Sequence, residues 1–306
     1  MIEARHLTKN YGSNRAVDDL SFDVQSGVVT GFLGPNGSGK STTLRMILGL
    51  DHPSSGTVLI DGANYHDLRW PLREVGALIE AKAVHPGRSA RMHLWALAQT
   101  NSIPKDRVEE VLEIVGLSGV AKRKVGKFSL GMSQRLGIAT ALLGDPGVLL
   151  FDEPINGLDP EGILWVRNLL KSLADEGRTI FFSSHLMSEM SQTATNLVVI
   201  GRGRLIADTS VEDFIASNAE QTVRIDAVRL EELITALKQA GATVRTTDEG
   251  VDVAGLEPVQ IGEIALAGGI ALRELTPQTA SLEEVFMELT SESSEYTSTQ
   301  DAEGGA

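Results

Sequence analysis

The sequence predicts an α/β protein with a mostly parallel core sheet, followed by a smaller α+β domain. Three observations predict this. Strand and helix patterns alternate through the first 210 residues, as in α/β architectures. A glycine-rich segment at 34–42 joins a strand pattern to a helix pattern. Near residue 210 both the pattern and the charge balance change. The 306-residue chain has a net charge of −14. Residues 1–210 hold 22 basic and 22 acidic side chains, residues 211–289 hold 5 and 15, and residues 290–306 hold 0 and 4. The negative excess therefore lies in the last third and argues against nonspecific nucleic-acid binding there.

The strand candidates of the first part are Val28–Leu33, Thr57–Ile60, Val148–Phe151, Thr179–Ser183 and Leu197–Ile200. Most are short continuous apolar runs, as expected of strands buried on both faces. Between about 89 and 143 the pattern is helical, with Val108, Val111, Leu112 and Val115 at helical spacing. Beyond 210 the order becomes β-α-β-β-α-β. Thr222–Ala227 reads as a strand, and Leu230, Leu233, Ile234 and Leu237 form a helix stripe. Ala242–Thr246 and Val251–Ala254 read as strands around the turn Asp248-Glu249-Gly250, Val259–Leu266 as a helix and Ile270–Leu275 as a last strand. This order predicts a small ferredoxin-like sandwich. Ser281 with Glu284 forms a capping box that starts a final helix. The acidic tail 291–306 has no apolar stripe and is expected to be disordered.

The bulk composition excludes several classes. With no cysteine, disulfides and thiol chemistry are excluded, which fits a reducing compartment. No apolar run approaches the length of a membrane span, and the start Met1–His6 has no apolar region of a signal peptide.

Gly34-Pro35-Asn36-Gly37-Ser38-Gly39-Lys40-Ser41-Thr42 matches G-x-x-x-x-G-K-[ST], the P-loop that holds nucleotide phosphates. Gly34, Gly37 and Gly39 let successive N–H groups face an anion. Lys40 supplies a positive charge for the β- and γ-phosphates, Ser41 a hydroxyl for Mg²⁺, and the following helix a favourable dipole. Downstream, the apolar strand Val148–Phe151 ends in Asp152-Glu153. That position suits an Mg²⁺-binding Asp152 and a Glu153 that polarises the attacking water. Asn156-Gly157-Leu158-Asp159 follows. His185 ends another apolar strand, at the edge where ligands sit in open α/β sheets. Phe128-Ser129-Leu130-Gly131-Met132 opens a helix with Ser129 as its N-cap, a second anion site on the same chain.

This ordered series resembles the ATP-binding subunit of ABC transporters over nearly the whole length. The resemblance implies a P-loop NTPase cassette at 1–210, with an antiparallel N-terminal sheet and a helical subdomain at about 86–143. An accessory α+β domain at 211–290 would follow. It implies ATP and Mg²⁺ as ligands and two subunits paired head to tail, most simply as a homodimer. Each ATP would then lie between one P-loop and the partner's signature segment, here Ser129, Gly131 and Met132. Asp159 would belong to the D-loop, His185 would be the switch histidine, and Tyr11 would stack on adenine. Glu80, in Gly76-Ala77-Leu78-Ile79-Glu80, stands where the family has a glutamine that binds Mg²⁺, and Glu is also an oxygen ligand. Leu130 and Met132 replace a glycine and a glutamine of the usual signature. These variants and the C-terminal extension resemble the branch of drug- and peptide-antibiotic-resistance exporters.

The resemblance also implies a separate multi-span permease, contacted by residues 81–100 around Trp95, and a place on the cytoplasmic face of the membrane. A soluble ABC-type factor for translation or DNA repair is the competing reading. Such factors usually carry two cassettes or long insertions, and this chain has one P-loop and no obvious nucleic-acid face. A GTPase is disfavoured by the lack of an Asn-Lys-x-Asp motif. An inactive regulator is disfavoured by retention of Lys40, Ser41, Asp152, Glu153 and His185.

Overall fold

The structure is a computed structural model. It describes residues 1–291 apart from 82, 219–221, 248–249 and 279–280. The expected turn at 248–249 and the tail from 292 onward lie outside the described residues. The chain divides into two compact units, one containing Met1–Val211 and the other Glu212–Leu289.

In the first unit, six strands form one sheet in the order Val75–Leu78, Val148–Phe151, Thr179–Ser183, Val29–Leu33, Asn196–Gly201, Arg204–Ser210. The first five run parallel and the last is antiparallel. Val29–Leu33, Val148–Phe151 and Thr179–Ser183 are buried along their whole length, which explains their continuous apolar runs. Two strands of this sheet were not read from sequence. Val75–Leu78 is short and contains Gly76, and Arg204–Ser210 is a half-exposed edge.

A second, antiparallel sheet takes Asn14–Val24, Ile2–Tyr11 and Ser55–Ile60 in that order. One apolar core spans both sheets and the helix Lys40–Ile47. At its centre Phe22 of the antiparallel sheet meets Phe32 and Phe181 of the parallel one, with ring centroids 4.9–5.9 Å apart. Three helices, Ala90–Thr100, Asp106–Ile114 and Leu130–Leu142, pack on one another, and Leu130–Leu142 also packs on the edge strand Val75–Leu78.

Strand register brings the functional segments together. Phe151 lies opposite Leu78 on one side and Phe182 on the other, while Phe32 lies opposite Ser183. The carboxyl ends of these strands therefore reach one edge of the sheet, where open α/β sheets bind ligands.

The second unit has the predicted β-α-β-β-α-β order. Its sheet runs Thr243–Thr247, Gly250–Ala254, Thr222–Ala227, Leu272–Gln278, with every neighbour antiparallel. Helices Leu230–Gln239 and Pro258–Ala267 share its core, built on Val223, Ile225, Leu233, Leu237, Val251, Val253 and Ile261. The final helix Leu282–Ser291 opens on the expected capping box: Ser281 N donates to Glu284 Oε2 at 2.7 Å, and Glu284 N to Ser281 Oγ at 3.2 Å.

Phe181 is fully buried where the two sheets of the first unit meet. Phe181→Ala is expected to destabilise that unit by about 3–5 kcal/mol, from lost burial and the cavity left behind. Urea unfolding checks this. A loss below about 1 kcal/mol would show that the sheets do not depend on this contact.

Candidate active site

Beyond Leu33 the chain turns through the glycine-rich loop into the helix Lys40–Ile47. Gly39 is the helix N-cap, with φ +105°. A Cβ there would stand 2.5 Å from the Ala16 carbonyl oxygen, so only glycine closes this turn without strain. Gly37 also has positive φ, +79°. The loop borders a cavity of about 450 Å³ lined by Tyr11, Asn36, Gly39, Lys40, Asp152 and Glu153 among others. Gly37, Ser41 and Thr42 line it too. Gly34 and Ser38 are buried behind the loop, and neither they nor Pro35 line the cavity.

Lys40 Nζ donates to the carbonyls of Gly34 at 2.6 Å and Pro35 at 3.1 Å. Burial lowers its pKa, and the nearby Glu153 and Asp152 carboxylates oppose that shift. The cation therefore sits in a partly desolvated place with two carboxylates in range, and phosphate oxygens would supply the further compensation that burial demands.

Asp152 follows directly from the strand register. Its N–H donates to Leu78 O at 2.7 Å. Its Oδ2 accepts from Ser41 Oγ at 2.8 Å, and its Oδ1 accepts from Ser183 Oγ at 2.6 Å. A hydroxyl and a carboxylate oxygen thus stand side by side at the start of an anion-binding helix. This hard-oxygen pair fits Mg²⁺, which binds through one or two protein oxygens plus phosphates and water. Among the described residues no group of three or more His, Asp or Glu forms a metal cage.

Glu153 comes next, with φ +51°. His185 Nδ1 lies 2.7 Å from Glu153 Oε2, and the His185 N–H donates to the same oxygen at 3.4 Å. The two predicted catalytic residues are therefore in direct contact. Two partners of Glu153 were not read from sequence. Ser183 Oγ accepts from its N–H at 3.0 Å, and Gln134 Nε2 donates to its carbonyl at 2.8 Å. Ser183 stands two residues before His185, and Gln134 two residues after the signature-like segment, but only the folded contact shows their use.

Tyr11 lines the cavity and is 47% exposed. Lys9 Nζ sits 5.0 Å from its ring centroid. Its hydroxyl donates to Asp51 Oδ2 at 3.0 Å, and that oxygen also accepts from Arg45 Nε at 2.7 Å. Burial and the Asp51 carboxylate raise the Tyr11 pKa, so the ring stays neutral and can stack.

The other predicted residues lie outside this cavity. Ser129 caps its helix, its Oγ accepting from Met132 N. Ser129 is exposed and Gly131 half-buried. Asp159 is also an N-cap, its Oδ1 accepting from Gly162 N at 2.9 Å. Glu80 is exposed and lines a different cavity with Arg45, Tyr65, His93 and Thr140.

A family model described as ABC transporter matches residues 17–156, and one described as a domain of unknown function (DUF8746) matches 221–283. The chain is 37% identical over 300 residues to the ABC transporter ATP-binding protein YhcH of Bacillus subtilis (strain 168), covering 96% of this chain and 97% of that one. It is 47% identical over 211 residues to the bacitracin transport ATP-binding protein BcrA of Bacillus licheniformis, covering 68% of this chain and 69% of that one. An ATP-binding cassette solved as a dimer in a post-hydrolysis state bound to ADP and Pi superposes with a TM-score of 0.64 at 25% identity, covering 69% of this chain and 99% of that one.

Gly39→Ala tests the loop geometry. A methyl group at φ +105° and 2.5 Å from Ala16 O forces the loop out of shape, so ATP affinity is expected to fall at least about tenfold with the core still folded. Titration with a fluorescent ATP analogue checks this. Unchanged affinity would mean that the loop does not need this conformation to bind phosphate.

Proposed function

Because the chain belongs to the ATP-binding family of ABC transporters and is the ATP-hydrolysing subunit of such a transporter, we propose how its residues divide the work. The observation that carries the reading is the single cavity edged by Lys40, Ser41, Asp152 and Glu153. Tyr11 stacks on adenine. The amides of 37–42 cradle the phosphates at the helix N-terminus. Lys40 exchanges its two loop carbonyls for β- and γ-phosphate oxygens. Ser41 and Asp152 would hold Mg²⁺, which would neutralise phosphate charge. Glu80, the third expected Mg²⁺ ligand, lines a different cavity.

Hydrolysis then needs little covalent help and mostly positioning. Glu153 accepts the proton of the attacking water as the water oxygen bonds the γ-phosphorus. The bond from that phosphorus to the bridging oxygen breaks, giving ADP and phosphate. His185, 2.7 Å from the carboxylate, fixes its direction and faces the γ-phosphate.

A second copy completes the site. Ser129, Gly131 and Met132 do not line the P-loop cavity of their own chain, and Ser129 is exposed. A helix start with free amides suits the γ-phosphate held by a partner. The dimeric state of the related ADP- and Pi-bound cassette supports this pairing. Leu130 and Met132 leave it possible because the Ser hydroxyl and backbone amides remain. Asp159 caps the helix beyond the D-loop and holds that segment in shape at the same edge.

No helix among the described residues is long and apolar enough to cross a membrane. We assign the membrane pathway to a separate permease and place this subunit on its cytoplasmic face. The likeness to a bacitracin transport subunit supports export of an antibiotic peptide or similar compound.

Glu153→Gln is expected to keep ATP affinity, lose at least about a hundredfold in turnover and accumulate ATP-bound dimer. Steady-state phosphate release and size-exclusion chromatography with ATP check this, and turnover near the parent rate would remove Glu153 from its role. A mixed dimer of Ser129→Arg and Lys40→Ala chains should retain one working site, at about half the parent rate. Each variant homodimer should be inactive, and an inactive mixed dimer would refute the shared site.

A further inference from the structure

Glu153 holds a backbone conformation that is uncommon for its residue type. At φ +51° its Cβ crowds the following carbonyl. Such residues persist where their surroundings over-determine them, and they cluster at active sites. Both backbone polar groups of Glu153 are tied by side chains. Its N–H reaches Ser183, which is fully buried, and its C=O reaches Gln134, which is 4% exposed.

The two ties come from different places. Ser183 ends a central strand, and its own proton is committed to Asp152. Gln134 lies on the helix Leu130–Leu142, whose first turn carries Ser129 and Gly131. One turn earlier on the same face is Leu130. A side chain at Gly157, where φ is +74°, would collide with the Leu130 Cδ2 atom. Leu130 and Gln134 thus contact both ends of the turn 153–157.

We propose that Gln134 is a positioning residue that holds the Glu153 peptide in its left-handed conformation and so aims the carboxylate of its own subunit's ATP site. It does this from the helix whose first turn serves the partner's ATP. The proposal rests on the role given to Glu153 above. Without the Gln134 amide the Glu153 carbonyl loses its buried side-chain donor and keeps the Asn156 N–H at 3.2 Å. The peptide is then held less firmly in the left-handed region, which lets the carboxylate swing away from His185. The P-loop has no contact with Gln134 in this scheme, so ATP binding should be spared.

Gln134→Leu, and Gln134→Met with its closer match in length, are expected to lower kcat about tenfold, the worth of one buried hydrogen bond. The KM for ATP should stay within about twofold, and ATP-induced thermal stabilisation should persist. The mixed dimer described above locates the effect. With Gln134→Leu on the Ser129→Arg chain, which carries the working P-loop and Glu153, activity should fall about tenfold. On the Lys40→Ala chain, which lends only its signature helix, it should not. A rise in KM with kcat retained, or an equal loss from either chain, would overturn the proposal. If the mixed dimer without a Gln134 change is inactive, the two-subunit reading fails instead, and the kcat-against-KM result in the homodimer still decides the role of Gln134. Gln134→Met keeps the test open if the leucine variant does not fold.

Discussion

The site depends on the register of three parallel strands. Val148–Phe151 pairs on one side with Val75–Leu78 and on the other with Thr179–Ser183. That register sets Asp152 against the Leu78 carbonyl and beside Ser183, and it points the carboxylate at Ser41. A slip by one residue would turn alternate side chains to the opposite face and carry Asp152 away from the P-loop helix. Burial of every residue in the two central strands makes such a slip expensive. The same apolar pairing that stabilises the sheet therefore fixes the distance between the groups that meet at its edge.

Much of this was legible in the sequence because it is local. The P-loop, the acidic strand end and the Ser129 cap each lie within a few consecutive residues, so spacing alone identifies them. The alternation in Thr222–Ala227 was equally readable, since one face of that strand is buried and the other is not. What escaped notice was non-local. Gln134 and Ser183 look like ordinary helix and strand residues until folding brings them to the Glu153 peptide. Glu80, read from its place in the sequence as a metal ligand, follows Val75–Leu78 and lines another cavity.

The two units follow different physics. The central strands of the first unit's core sheet are buried along their whole length and carry no charged residue. The sheet of the second packs one face against two helices and keeps charged pairs in its strands, such as Arg224 with Asp252 at 3.0 Å. This difference lets the second unit carry most of the chain's excess acidity without straining a core, since half of its strand positions are free for charge.

The tether of Tyr11 has a consequence for which molecules can be held. Tyr11 is bound to Asp51, and Asp51 to Arg45, which lies on the same helix as Lys40 and Ser41. A single rigid rod thus joins the aromatic platform to the phosphate cradle, and Lys40 and Arg45 are only about 7.5 Å apart along its axis. The rod acts as a ruler. A ligand gains both contacts only if its base and its terminal phosphates are separated by the right span. With Tyr11 on the base and Lys40 on the terminal phosphates, as proposed, the cavity would select on the length of the whole nucleotide as well as on the chemistry at either end.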